Sequence, residues 1–220
     1  MPFIEKALKN AYIGFWYEPG SNTLLYFPLT DDLNDHSWKT VTYSTTGSPT
    51  ITTLNWVKCC QLNWSSTIDT SVTLNTLNNM FVSCWFYLVT SNNVWFFWNQ
   101  PCWITNWFWF MFPSSDLQVW VYHSGWYAYV DVSWNFQNSW HLYSISNWKV
   151  YLDWVYKGTL STTNMSWNQP ICIWGHNQNS SCSRTKTNWY ISDCIIENSE
   201  RTAQEIQEYY NSTKSNYWIS

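Results

Sequence analysis

The sequence predicts an all-β chain, a two-sheet antiparallel β-sandwich closed by a short C-terminal helix. Three observations carry that prediction. Apolar and polar residues alternate with a period of two in short runs such as LQVWVYH (117–123) and WHLYSIS (140–146). Asn, Ser, Gly and Pro break these runs at close spacing, the pattern of a sandwich. Aromatic residues make up 21% of the chain and charged residues only 11%, a balance that suits half-buried pleated surfaces.

Taken in order, residues 1–20 differ from the rest. MPFIEKALKNAYIG suits a short amphipathic helix, and EPG then marks a turn, so 1–20 read as an N-terminal anchor or tail before a sandwich over 21–220. Alternation and β-branched or aromatic content then predict strands at 23–29, 39–44, 57–63, 80–89, 93–98 and 107–112. Further strands follow at 117–123, 127–132, 140–146, 149–153, 155–160, 171–174 and 188–197. The helix is expected at about 202–211. Thr202 and Glu205 form a capping box there, and Ile206, Tyr209 and Tyr210 fall on one face.

Turn chemistry holds an anomaly. The chain has 20 tryptophans and 6 glycines, where a globular chain of this length holds about 15 glycines. The pairs Asn55-Trp56, Asn63-Trp64, Asn106-Trp107, Asn147-Trp148, Asn188-Trp189 and Asp153-Trp154 stand where strand-rich chains place Asn-Gly or Asp-Gly. Ser37-Trp38, Ser133-Trp134 and Ser166-Trp167 look like Ser-Gly turns in the same way. Tight hairpins need positive φ, which glycine adopts freely and a bulky residue resists. Many of these tryptophans are therefore expected to be glycine in the native protein. A UGA codon read as glycine in some bacteria and phages, but translated as tryptophan, gives this pattern. Trp85, Trp126 and Trp140 sit in strand-like apolar runs and read as genuine. The competing reading is a Trp-rich protein that stacks on sugars.

Composition narrows the function classes. A net charge of −4 with no basic cluster argues against nucleic acid as a partner. No apolar stretch is long enough for a membrane span, and no secretory signal is visible. Synthesis in the cytoplasm is expected, with virion association or release by lysis as the route outward. Seven cysteines without CxxC spacing signal neither a zinc site nor a disulfide framework. Cys84 and Cys194 read as small buried hydrophobes, and a bridge from Cys172 to Cys182 is one option.

With glycine restored at the turns, residues 148–160 resemble the "L-Y-v-D-G-x-x-v-G" hairpin of the laminin-G-like domains in the concanavalin A-like lectin/glucanase superfamily. LLYFPLTDDLNDHS (24–37), FVSCWFYLV (81–89), SWHLYSIS (139–146) and YISDCIIENSERTAQEIQEYYN (190–211) resemble further motifs of that family, in order. The resemblance covers residues 22–212 and implies a jelly-roll sandwich with loops or a concave face that bind carbohydrate or protein.

It also guides the search for chemistry. Glucanases on this fold carry E-x-D-x-x-E, and no such motif exists here; no Glu occurs between Glu18 and Glu197. No enzyme is expected, and a glycoside hydrolase is the least favoured reading. Calcium is the one metal considered: Asp31, Asp32, Asn34 and Asp35 gather oxygen donors in one turn. No cofactor is required. For a glycan or cell-surface ligand, the segment 121–131 offers Tyr122, His123, Trp126 and Asp131 as stacking and hydrogen-bonding groups, with Tyr127 and Tyr129 on the core side. Asn99 and Gln100 form a second polar loop. The functional expectation is lectin-like recognition by a phage or bacterial particle protein. The alternative is a structural virion or tail protein, attached through residues 1–20 and without sugar binding.

Overall fold

The computed structural model describes residues 17–62, 66–74, 76–89, 94–98, 106–112, 117–123, 126–132, 137–160, 169–173 and 189–219. Among the described residues, fifteen strands form two antiparallel sheets. The first holds β13 (Val155–Thr159), β12 (Lys149–Leu152), β11 (Trp140–Ser146), β6 (Phe81–Leu88), β15 (Trp189–Glu197), β4 (Val57–Leu62) and β3 (Thr50–Leu54) in that order, and β1 (Thr23–Phe27) also pairs with β15. The second runs β10 (Trp126–Val132), β9 (Leu117–His123), β8 (Asn106–Phe112), β7 (Val94–Trp98), β14 (Gln169–Ile173), β5 (Thr67–Leu74) and β2 (Tyr43–Thr46). Two of these strands, β3 and β5, were not expected. TITTL and TIDTSVTL alternate Thr with apolar residues, a weaker signal than the aromatic runs elsewhere. The strand expected at 39–44 is shifted to Tyr43–Thr46.

The first sheet is covered on both faces, which explains why all eight residues of β6 are buried. Val82, Cys84, Phe86 and Leu88 point into the core between the sheets, against Ile68, Leu74, Ile171 and Ile173 of the second sheet. Phe81, Trp85 and Tyr87 point the other way, toward the helix α1 (Ala203–Thr213) and the 3₁₀ turn that follows it. Trp85 stacks on Tyr217 with ring centroids 4.0 Å apart, and Tyr210 lies 5.7 Å away on a near-parallel plane. Ile206 is fully buried in the same layer, worth about 2 kcal/mol for a side chain of this size. The expected capping box is present: Glu205 N–H donates to Thr202 Oγ1 at 3.2 Å, and Thr202 N–H to the Glu205 carboxylate at 2.7 Å.

Ahead of the helix, Arg201 forks onto Glu197 through two hydrogen bonds of 2.8 Å. Its guanidinium lies 4.4 Å from the Phe81 ring centroid. Tyr17 bonds the same carboxylate and packs against Tyr26, so residue 17 already touches the sandwich. At the far edge, Gly158 lets the sheets approach: a Cβ there would stand 2.9 Å from a Val130 methyl carbon. Among the described residues no helix is long and apolar enough to cross a membrane.

Three hairpins are closed by two-residue loops, Asn55-Trp56, Asn147-Trp148 and Asp153-Trp154, with strand pairs Leu54–Val57, Ser146–Lys149 and Leu152–Val155 on either side. Both residues of each loop have positive φ, between 46° and 68°, as a type I′ turn requires. Trp218 also takes a left-handed conformation, at the end of the 3₁₀ turn. Not every suspected pair behaves this way. Trp189 is a fully buried strand residue, Trp107 lies within β8, and Trp38 is exposed without positive φ. For these three the turn argument does not hold, because strand pairing or an open loop takes the place of a tight hairpin. Trp64, Trp134 and Trp167 lie outside the described residues. Trp85 and Trp140 are buried, and so is Trp148.

Asp193 is the most constrained ionisable group. It sits at a bulge in β15 with φ of 49°, fully buried, and accepts hydrogen bonds from Tyr217 Oη at 2.8 Å and Tyr26 Oη at 3.2 Å. Burial pushes its carboxyl up to about 7, although the two tyrosine hydroxyls pull the other way.

Two predictions follow from this geometry. Trp56→Gly relieves a left-handed residue that is 85% exposed, and should stabilise the fold by about 1 kcal/mol in urea unfolding; a loss of stability would contradict the strain argument. The Asp193 carboxyl titrates near 3.8 when unfolded and about 7 when folded. Its protonated form thus favours the folded state fully below pH 3.8, and that contribution is lost as pH rises through 7. The stability of the native chain relative to Asp193→Asn should therefore fall between pH 4 and pH 8; a flat difference would contradict the shift.

Candidate functional site

A groove of about 880 Å³ runs between the β12–β13 hairpin and α1. The hairpin contributes Tyr151, Trp154, Val155 and Tyr156, and the helix contributes Gln204, Gln207, Glu208 and Asn211. Sequence builds both walls simply. Gln204, Glu208 and Asn211 recur at helical spacing, opposite the buried Ile206, Tyr209 and Tyr210. On the hairpin, the turn at Asp153-Trp154 lifts Tyr156 to 53% exposure while Tyr151 stays buried.

The walls are ordered. Tyr156 meets Tyr151 edge-on with centroids 5.7 Å apart, and its hydroxyl lies 2.7 Å from Thr159 Oγ1. Gln204 Nε2 donates to Glu208 Oε1 at 2.8 Å. Burial, then the neighbouring Tyr156, raises the Tyr151 hydroxyl above its ordinary value, so it stays protonated as a donor. An exposed aromatic face opposite a row of amides and a carboxylate is the combination that holds a sugar: C–H faces stack on the ring while hydroxyls find donors and acceptors. The volume falls in the usual range for small-ligand sites. None of these groove residues was singled out from sequence, because the groove exists only once helix and hairpin meet. The spacing of Gln204, Glu208 and Asn211 on the polar face of a capped helix was the one available signal.

The hairpin is anchored from below. Asp153 Oδ1 accepts the Leu142 backbone N–H at 2.9 Å, and its Oδ2 lies 2.7 Å from His141 Nδ1, while His141 Nε2 lies 2.7 Å from Ser139 Oγ. The order Ser–His–Asp resembles a hydrolytic triad. Its geometry instead ties a turn to the neighbouring strand: both Asp153 oxygens are engaged with β11, and neither Ser139 nor His141 lines the groove. Asp153 thus bonds across to β11 rather than to the backbone of its own turn.

The residues expected at 121–131 form the β9–β10 hairpin, where His123 pairs with Trp126 and Gln118 with Asp131. The side chains of Tyr122, His123 and Trp126 lie outside the described residues, as do Asn99 and Gln100. Asp131 is exposed, and Tyr129 is 49% exposed rather than a core residue. The reason is parity: Val130 and Val132 fill the core from this strand, so Tyr129 and Asp131 take the opposite face.

The Asp31–Asp35 turn satisfies itself. Asp35 Oδ1 accepts from the backbone of Tyr26 at 2.9 Å and Ser37 at 3.2 Å, and Asp35 Oδ2 from Ser37 Oγ at 2.6 Å. Asp32 binds Asn34 through backbone and side chain and meets His36 Nε2 at 3.1 Å. Burial would raise the Asp32 carboxyl, but these hydrogen bonds outweigh it and hold it below its ordinary value. Asp31 pairs with Lys58, and Asn34 accepts from Tyr43 Oη at 2.8 Å. Among the described residues no three His, Cys, Asp or Glu side chains stand together as metal ligands. A smaller cleft of about 360 Å³, lined by Tyr17, Tyr26, Asp31, Asp32 and His36 among others, lies beside this turn.

Comparison with known proteins adds the fold alone. No protein-family model and no curated protein sequence matches the chain. The solved structures it resembles include the botulinum neurotoxin serotype D/C VPI 5993 binding domain, at TM-score 0.69 and 15% identity over 87% of this chain. A botulinum neurotoxin serotype C1 binding domain matches at 0.69 and 13% over 87%. A structure titled for the dependence of botulinum neurotoxin type C cell entry on two ganglioside molecules matches at 0.68 and 13% over 87%. The chain spans about half the length of these structures, 52%, 52% and 51% respectively. The first two are binding domains by name.

If Asp153 is a structural clamp, Asp153→Ala leaves the Leu142 N–H without its acceptor and should cost about 1–3 kcal/mol in denaturant unfolding. Native stability in the variant would remove the clamp.

Proposed function

We propose that the chain is a non-enzymatic, lectin-like recognition domain of the laminin-G-like, concanavalin A-like kind. Its carbohydrate or cell-surface ligand seats in the groove between the β12–β13 hairpin and α1. The observation that carries this reading is the ordered Tyr156 face opposite Gln204, Gln207, Glu208 and Asn211. The likeness to botulinum neurotoxin binding domains, and to a structure titled for interaction with two ganglioside molecules, supports it at the level of fold.

The positive-φ tryptophans at 56, 148 and 154 support glycine at those positions in the native protein, and with it a bacterial or phage source that reads UGA as glycine. The groove does not depend on Trp154. Glycine there opens the groove and leaves Tyr151, Tyr156 and the helix face in place. On a particle, residues 1–20 would serve as the attachment, and the sandwich would face outward. The turn at 31–35 already uses its own oxygens, so recognition is expected to need no calcium.

A glycan array probed with the purified chain tests the reading. The expected result is binding to a defined glycan class that drops at least tenfold in Tyr156→Ala and is unchanged by EDTA. A signal lost in EDTA and restored by calcium would move recognition to the 31–35 turn. No glycan bound by a folded chain would favour the structural virion or tail protein without sugar binding.

A further inference from the structure

The two central strands of the first sheet carry a pair of thiols that no functional reading so far uses. Cys84 on β6 and Cys194 on β15 are both buried, and their Sγ atoms lie 3.1 Å apart. The contact depends on the β15 bulge. On the β6 side Trp85 pairs with Ser192 and Ser83 with Ile195, so Cys84 faces two residues, Asp193 and Cys194. With φ of 49° at Asp193, its carboxylate turns toward Tyr26 and Tyr217, and Cys194 joins Cys84 in the core between the sheets. Cys60 lies near enough to both to interact electrostatically, but the direct contact is between Cys84 and Cys194. Cys59 and Cys60 approach backbone carbonyls of Thr52 and Gln61, at 3.9 Å and 3.8 Å.

We infer that Cys84 and Cys194 are an oxidation site, closing a disulfide between β6 and β15 when the chain folds with a disulfide oxidant present. The oxidant is a low-molecular disulfide such as oxidised glutathione. One cysteine thiolate attacks it to give a mixed disulfide and releases one reduced thiol. The second cysteine thiolate then displaces the other. The chain loses two protons and two electrons, and the oxidant gains them as two thiols. The bond must form during folding. In the folded chain both sulfurs are closed off from solvent, and burial, then the hydrogen bond with Cys84, pushes the Cys194 thiol well above its ordinary value. Once closed, the link spans 110 positions of sequence and constrains the unfolded chain strongly.

The test is to refold the reduced, denatured chain with oxidised and reduced glutathione, and in parallel with a phosphine reductant. Alkylation of free thiols and peptide mass spectrometry then read the pairing. The expected product is a Cys84–Cys194 linked peptide pair in most molecules, with Cys59, Cys60 and Cys172 alkylated. The oxidised form should melt about 5–10 °C above the reduced form. That gap should vanish in Cys84→Ser, and in Cys194→Ala should the first variant fail to fold. Alkylated Cys84 and Cys194 in folded, oxidised protein would overturn the assignment. So would a bridge from either of them to another cysteine, or a melting point that the bond does not raise.

Discussion

Register in this sandwich rests on its two-residue turns. A strand slipped by one residue turns every side chain to the opposite face. The turn at Asn147-Trp148 sets β12 against β11, and the turn at Asp153-Trp154 sets β13 against β12. The turn at Asn55-Trp56 does the same for β3 and β4. Each demands positive φ at both central residues. Asn and Asp tolerate that conformation, whereas tryptophan at the second position carries a cost of about 1–2 kcal/mol. Trp56 and Trp154 project into solvent from these strained positions, whereas Trp148 is buried in the core with its indole N–H donating to Asn78 Oδ1 at 2.5 Å.

From that register follows a layered molecule. The first sheet has partners on both faces, so β6 and β15 form a middle layer with almost no polar exposure. Covering its outer face is the task of α1, held at its start by the capping box and by the Arg201–Glu197 fork. The same placement creates the groove. A helix laid across the sheet to bury Ile206, Tyr209 and Tyr210 presents its polar side along the β12–β13 hairpin. The candidate site is thus a consequence of how the sheet is closed, with Asp153 bonding its turn to β11.

Much of the architecture was legible in the sequence. The helix was readable to its cap because Thr202, Glu205 and three apolar residues at helical spacing are local signals. The aromatic strands were readable for the same reason. The strands β3 and β5 were missed because polar Thr, Asp and Ser dilute their apolar residues, and Thr67 and Thr70 of β5 are buried where alternation expects apolar side chains. Tyr129 was assigned to the core together with Tyr127 because the two share one face of the strand, but Val130 and Val132 on the alternate parity fill that space. The groove was not legible at all. Its two walls are some 50 residues apart in sequence, and only the tertiary fold brings them together. Cys84 and Cys194 were recognised as buried, but their approach depends on a bulge that no local pattern announces.

The claim on which this account turns is that the backbone, rather than the codon table, identifies the residues at the hairpin turns. Peptide mass spectrometry of the protein from its native source, across residues 147–160, tests it most directly. Glycine at 148 and 154 is the predicted result. Tryptophan at both would contradict it, and would leave a strained, aromatic-rimmed hairpin as the native structure.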